Sequence, residues 1–396
     1  MPSSLKPQTR LKPRPFRLKV PQRALGDLRR RLLSTRYPDQ APGDPWAYGT
    51  DLSFMRELVT YWADGFDWRA QEARLNAFPQ FKVALAGIDV HFLHVKGQGP
   101  DPMPLLLSHG WPGSVFEFME LIPRLTDPAR YGGSAADAFT VVAPSLPGYG
   151  LSFAAGQPRF STEQIADVFA TLMTDVLRYP RFGAQGGDWG ASISARIGLM
   201  RQAETIGVHL NLLPLQRDPS WVSDPDPEQL RYLGEVKHWL REDAAYGAIQ
   251  GTRPQTLAYG LTDSPAGLAA WVAEKMRAWS DCGGDVESVI SKDQMLANIA
   301  LYWFTGAIGS SFWPYYARNH GPWPIPDGST VDVPAGYTEF PAEILRPPRS
   351  LAARLFTDIQ RWTVMPKGGH FAAMEQPDAL SSEIREFFRP LRKQQA

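Results

Sequence analysis

The chain has 396 residues with 41 basic and 41 acidic side chains, a formal net charge of zero. That balance excludes an electrostatic partnership with nucleic acid or an anionic membrane surface and favours a small, neutral ligand. One cysteine, Cys282, excludes an internal disulfide framework and is compatible with a reducing compartment, while 36 prolines, 34 glycines and 13 tryptophans describe a loop-rich globular protein with aromatic-lined space rather than a disordered one.

The first twenty residues, MPSSLKPQTRLKPRPFRLKV, are basic and broken by prolines, without the apolar run of a signal peptide or membrane span. A cytoplasmic protein without a membrane anchor is expected. Residues 1–78 contain two stretches with apolar positions at helical spacing, ALGDLRRRLLSTRYP and LSFMRELVTYWADGFDW. They are too polar to fold alone and are expected to pack on the core and cap; whether that core is their own or a neighbour's leaves a homo-oligomer open. From residue 81 the period shortens. FKVALAGIDVHFLHVKG predicts two strands joined at Gly87, and MPLLLSHG and FTVVAPSLPG are apolar runs suited to strands buried on both faces of a parallel sheet. STEQIADVFATLMTDVLRY predicts a helix with Ser161 and Gln164 as a capping box, followed by strands at RFGAQGGD and TIGVHLNLLP. This alternation implies right-handed βαβ crossovers over 79–216.

At residue 217 the rhythm stops. An acidic loop, RDPSWVSDPDPEQL, leads into purely helical patterns as far as residue 324, which predicts an inserted helical cap. The α/β pattern returns over 325–396, with strands at AGYTEF and RWTVMP and a last helix at PDALSSEIREFFRPLR. The expected fold is therefore an α/β fold with a mostly parallel sheet, helices on both faces, an inserted cap and an N-terminal helical meander.

Within GAQGGDWGAS, the run Gly186-Gly187-Asp188-Trp189-Gly190 has the small-x-nucleophile-x-small spacing of a strand-to-helix nucleophile elbow, with aspartate at the tip. SHGWPGS, residues 108–114, follows a predicted buried strand as an oxyanion loop would, making the amides of Trp111 and Trp189 the expected oxyanion donors. KGGHFAAMEQP places His370 between the last strand and the last helix, so that nucleophile, acid and histidine can occur in α/β-hydrolase order. Of the other histidines, His91, His94 and His209 fall in strands, His109 in the oxyanion loop, His238 on a cap helix and His320 in a loop; none has metal-ligand company, so neither metal nor cofactor is expected. The acid comes from the loop after the penultimate strand. Glu343 is preferred over the strand-borne Glu339 and over Asp358, though spacing alone leaves the choice open.

An aspartate nucleophile has a chemical reason. Serine attacking a saturated carbon would leave an ether that water does not cleave, whereas aspartate leaves an alkyl ester whose acyl carbon belongs to the protein. The substrate then carries an electrophilic saturated carbon, in an epoxide or an alkyl halide. Acidic O–H donors would favour the first, and indole or amide dipoles the second.

With HGWPG, GGDWG, GGHFA, TDPARYG, PSLPGYGLS, TRPQTLAYGLTDSPAGLAAW, LYWFTG and FPAEIL in place, nearly the whole chain resembles the microsomal-type epoxide hydrolases of the α/β-hydrolase superfamily. The resemblance implies hydrolysis of an epoxide to a vicinal diol, with Asp188 as nucleophile, Glu343 as charge partner and His370 as base. The family's two ring-opening tyrosines map onto Tyr246 and onto Tyr315 or its neighbour Tyr316, of which counting from the Ser310-Ser311 pair favours Tyr315. Trp303, Phe312 and Trp313 are expected to line an apolar, aryl-accepting site. A haloalkane dehalogenase and a non-catalytic ligand receptor on the same scaffold are the rival readings.

Overall fold

The structure, a computed structural model, describes residues 11–216, 222–326 and 328–392. The acidic loop predicted from residue 217 thus starts outside the described residues, as do the first ten residues of the N-terminal segment.

Nine strands form one sheet in the order β1-β2-β3-β5-β4-β6-β7-β8-β9: β1 (Arg14–Phe16), β2 (Gln80–Leu85), β3 (Ile88–Val95), β4 (Met103–Ser108), β5 (Phe139–Pro144), β6 (Phe182–Gly186), β7 (Thr205–Leu210), β8 (Ala335–Glu339) and β9 (Ile359–Val364). The first three are antiparallel, and β3 joins β5 antiparallel; from β5 through β9 every pairing is parallel. The β2–β3 hairpin turns through Ala86 and Gly87, both at positive φ (52° and 79°), the geometry whose twist matches the flanking strands. β5 and β7 are buried at every position, which is why their sequences lack alternation. β1 was not foreseen; three residues of the proline-rich PRPF pair along β2 and leave no periodic signal.

Helices cover the sheet as expected. Ser161 and Gln164 form the capping box that starts Thr162–Thr171. The last helix, Pro377–Arg392, lays Leu380, Ile384, Phe387, Phe388 and Leu391 into the core. Between β7 and β8 the described residues carry helices and no strand of the sheet, the principal helices being Pro227–Glu242, Ala245–Thr252, Pro254–Asp263, Pro265–Ala278, Lys292–Thr305 and Trp313–His320. His320, expected in a loop, ends the last of these, because the proline-started pattern WPYYARNH runs on to Gly321.

The N-terminal helices Gln22–Leu33 and Leu52–Asp64 pack against this cap. Arg31 binds the carbonyl (2.8 Å) and carboxylate (2.9 Å) of Asp263, Tyr61 donates to Asp293 (2.7 Å) and Thr50 to the carbonyl of Ala270 (2.9 Å). Among the described residues no helix is long and apolar enough to cross a membrane.

Candidate active site

The loops at the carboxyl ends of β4, β6, β8 and β9 converge, as ligand-binding loops do in parallel α/β sheets. Asp188 opens the helix Asp188–Met200 directly after β6 and holds φ at 48°, a left-handed conformation costly for an aspartate. The surrounding glycines permit the turn by close approach. A Cβ on Gly186 would lie 2.2 Å from the Gly190 carbonyl oxygen, and one on Gly190 would lie 1.9 Å from that of Ser108. The strained tip therefore stands at the head of a helix, where unpaired backbone N–H groups favour negative charge.

Around Asp188 the donors divide its two oxygens. The Trp111 amide donates to Oδ1 at 2.7 Å, and Oδ2 lies 3.6 Å from His370 Nε2. Trp189, the next residue, carries its amide in the first helical turn, where the helix itself offers no acceptor. On the other edge of the imidazole, His370 Nδ1–H donates to Glu343 Oε1 at 2.6 Å, and the same oxygen accepts the Ile344 amide at 2.7 Å. Glu343 lies beyond β8 and is fully buried. Glu339 instead ends β8 facing Arg346 and Arg231, and Asp358 accepts from Gln360 at 2.9 Å just before β9.

Burial works against a charged His370, but Glu343 foremost, with Asp188 and Glu117, more than reverses this and raises it to about 9. The contrast with His109 is instructive. That ring is buried too, but it donates from Nδ1 to the Gly110 carbonyl (3.0 Å) and accepts the Leu146 amide at Nε2 (3.2 Å), and burial lowers it to about 4. Because His370 titrates above its ordinary 6.5 in the folded protein, its contribution to stability is complete below about 6.5 and is lost as pH rises through about 9. The melting-temperature gap between wild type and His370→Gln should therefore narrow on going from pH 6 to pH 10; a constant or widening gap would contradict the ion-paired imidazole.

The His370 loop is fastened to the cap. Its own amide donates to the Trp279 carbonyl (2.8 Å), the Gly368 amide donates to Asp281 (2.8 Å), and Glu375 accepts the amides of Asp281 (2.8 Å) and Phe371 (2.9 Å). The oxyanion loop is held likewise. Asn298 Nδ2 donates to the Pro112 carbonyl and the Tyr302 hydroxyl to the Gly113 carbonyl, both at 2.7 Å.

Over Asp188 the cap closes an aromatic box. Tyr246 stacks on Trp111 (5.3 Å, 11°), Tyr315 stands edge-on to Trp189 (4.8 Å) and to Tyr246 (5.8 Å), and Trp279 contacts both Tyr246 (5.2 Å) and His370 (5.1 Å). Burial first, then Tyr246 and Asp188, holds the Tyr315 phenol well above its usual range, with Arg318 opposing; the O–H therefore stays protonated and able to donate. Tyr316, its neighbour, stacks instead between Trp313 (4.8 Å) and His320 (4.0 Å).

A pocket of about 30 Å³ touches Asp188, Trp189, Tyr246 and Tyr315, and beside it a cavity of about 330 Å³ shares both tyrosines. Of the expected wall residues, Phe312 is buried 6.3 Å from the Trp111 ring. Neither it nor Trp303 nor Trp313 lines either space. Trp303 lies under the Arg31 guanidinium (5.6 Å) on the side facing the N-terminal helix, and Trp313 belongs to the Tyr316 stack. The walls missed from sequence are Trp239, Leu240, Leu212, Leu213 and Trp323; none lies in a distinctive motif. A further cavity of about 380 Å³ sits away from Asp188, between residues 35–55 and the helix Pro265–Ala278.

Comparison with known proteins agrees with this geometry. Residues 13–118 match the family described as "Epoxide hydrolase N terminus", and residues 103–249 match "alpha/beta hydrolase fold". A relative from Stigmatella aurantiaca is 42% identical over 96% of this chain and 85% of its own length, and epoxide hydrolase 1 of Oryctolagus cuniculus is 35% identical over 94% and 88%. The crystal structure of juvenile hormone epoxide hydrolase from the silkworm Bombyx mori superposes with a TM-score of 0.86 at 31% identity, covering 98% of this chain and 96% of that one. The buried Asp188-His370-Glu343 triad, the cap above it and these whole-length similarities together make the chain a member of the epoxide hydrolase family, an enzyme of the α/β-hydrolase fold.

Proposed function

We propose that the protein opens a small, apolar, aryl-accepting epoxide through an alkyl ester on Asp188 and releases the vicinal diol, acting on ether bonds without cofactor. The observation that carries this reading is the division of labour at Asp188, whose Oδ1 is held by the Trp111 amide while Oδ2 remains on the His370 side. Oδ2 attacks a ring carbon, the carbon–oxygen bond breaks toward the ring oxygen, and a phenol of Tyr246 or Tyr315 supplies the proton. Water then attacks Cγ of Asp188 and gives its proton to His370 Nε2, with Glu343 stabilising the imidazolium. The tetrahedral oxyanion forms on the oxygen facing the amides of Trp111 and Trp189. Collapse breaks the Cγ–oxygen bond to the substrate; the freed oxygen takes the proton held by His370, and the second proton of the water restores the tyrosine phenol, leaving Asp188 ionised.

Charge changes at Asp188 support the sequence of steps. Esterification removes its negative charge, which had helped raise both His370 and Tyr315. The phenol thus becomes a better acid as the alkoxide develops, and the imidazolium gives up its proton more readily, leaving a neutral imidazole to take one when water must be activated.

In this reading residues 79–216 and 325–396 are the hydrolase core, 217–324 the cap, and 1–78 a segment bracing it. The walls at Trp239, Leu240 and Trp323 form the apolar surface. The neutral charge balance supports a small-molecule substrate over nucleic acid, and the lone cysteine is compatible with the cytoplasm.

The test is a single turnover of styrene oxide in ¹⁸O-water. Label is expected in the Asp188 carboxylate and absent from the first diol, entering the diol only on later turnovers. Direct labelling of the first diol would exclude the ester.

A further inference from the structure

Behind the elbow lies a second, smaller cavity that the scheme above leaves unused. It measures about 20 Å³, room for one water, and its wall includes Ser108, Glu117, Gln185, Asn211 and His370. It shares no lining residue with the pocket that touches Asp188 and the tyrosines. Two of its polar groups, Ser108 Oγ and Gln185 Oε1, are buried without a protein partner, and buried polar atoms of this kind ordinarily bind ordered water.

We infer that Glu117 positions the hydrolytic water in this cavity, beside His370 and on the far side of the ester from the substrate. The inference rests on the covalent-ester reading of Asp188. Glu117 has no place in the triad, but three features bring its carboxyl here. Its amide donates to the Ser114 carbonyl at 3.0 Å, fixing the turn Val115–Phe118 that carries it. A Cβ on Gly113 would fall 1.3 Å from Glu117 Oε1, so only glycine lets the carboxyl lie against the oxyanion loop. Tyr302 and Asn298 clamp that same loop from the cap.

Electrostatics suit the role. Burial lifts Glu117 to about 8, with His370 opposing and Asp188 adding to the rise, so near neutrality the group is a neutral acid with one donor and one acceptor. The carbonyl oxygen of a neutral carboxyl can accept a hydrogen bond from one O–H of the water and leave the other for His370 Nε2, without adding negative charge beside the oxyanion on Asp188. The bond that forms is water oxygen to Asp188 Cγ and the bond that breaks is Cγ to the substrate-bearing oxygen; the water's proton passes through His370 to that leaving oxygen, and Glu117 exchanges nothing.

Such a residue acts on ester cleavage and not on ester formation, and that asymmetry is measurable. With styrene oxide as probe, Glu117→Leu should alkylate at close to the wild-type rate while kcat drops about tenfold or more and KM falls with it, so that the alkyl-enzyme becomes visible by intact mass. Glu117→Gln, which keeps a donor and an acceptor, should recover most of kcat. Should Glu117→Leu fail to fold, Glu117→Ala is read in the same way. Wild-type hydrolysis in the apolar variant, or an equal slowing of formation and cleavage, would overturn the role. The His370→Gln variant, run alongside, tests the ester itself: if it too yields no adduct, the covalent reading fails, independently of Glu117.

Discussion

In a His370→Gln variant, mixing with a slight excess of epoxide should leave an alkyl-enzyme at close to one equivalent, heavier by the full mass of the substrate because nothing departs when the ring opens. The residues that carry the first step remain in place. Asp188 keeps its strained elbow and its bond from the Trp111 amide, and Tyr246 and Tyr315 keep their O–H groups. The second step loses the base that adjoins the ester. Among the described residues His370 alone lies both 3.6 Å from Asp188 Oδ2 and 2.6 Å from Glu343 Oε1, and glutamine reproduces the hydrogen bond to Glu343 but not the acceptance of a proton. Removing such a base should lower steady-state turnover by about 10³-fold or more. Peptide mapping should place the added mass on the segment containing Asp188, and Asp188→Ala should give neither adduct nor diol. Loss of turnover with no adduct would mean that water attacks the epoxide directly.

What the sequence made legible was whatever depends on local backbone geometry. The elbow could be read because Gly186 and Gly190 are demanded by contacts of about 2 Å with backbone atoms, and such demands write themselves as glycines at fixed spacing. His370 followed from chain order, since it sits beyond a strand that the apolar runs had marked, whereas spacing left the acid open among Glu339, Glu343 and Asp358 and the resemblance of FPAEIL was needed to single out Glu343. The cap walls were different. Helix Lys292–Thr305 is apolar on nearly every side, so its sequence does not tell which face meets Asp188. Docking decides: Asn298 and Tyr302 face the oxyanion loop, and Trp303, one residue later, turns away to Arg31. Trp313 and Tyr316 went the same way, into a stack of their own, and Tyr315 between them points into the site. Glu117 was invisible for a related reason. As one acid in VFEF it has no signature, and its role emerges only where a glycine four residues earlier makes room for the carboxyl.

The remaining large effect concerns ring opening. Tyr246→Phe and Tyr315→Phe should each slow alkylation by about ten- to a hundredfold, and the double variant by about 10⁴-fold, with ester hydrolysis unchanged for whatever ester forms. Phenylalanine preserves the packing. The Tyr246 ring can still stack at 5.3 Å on Trp111, and the Tyr315 ring can still stand at 4.8 Å from Trp189, so the two oxygens are all that is lost. An epoxide oxygen leaves as an alkoxide and needs a donor while the carbon–oxygen bond is breaking; one remaining phenol serves that need in part, and none serves it hardly at all. The first removal should therefore be partly compensated and the second steep, so that the double loss equals or exceeds the product of the two single losses. Trp111 and Trp189 adjoin both rings, so stopped-flow tryptophan fluorescence reports the alkylation rate directly. Tyr316→Phe is the control, since its ring lies in the Trp313 and His320 stack, and its rate should match wild type. If the double variant alkylated at wild-type speed, the ring oxygen would have to draw its proton from elsewhere, and the unpartnered hydroxyl of buried Tyr149, close enough to raise Tyr315, would be the next to remove.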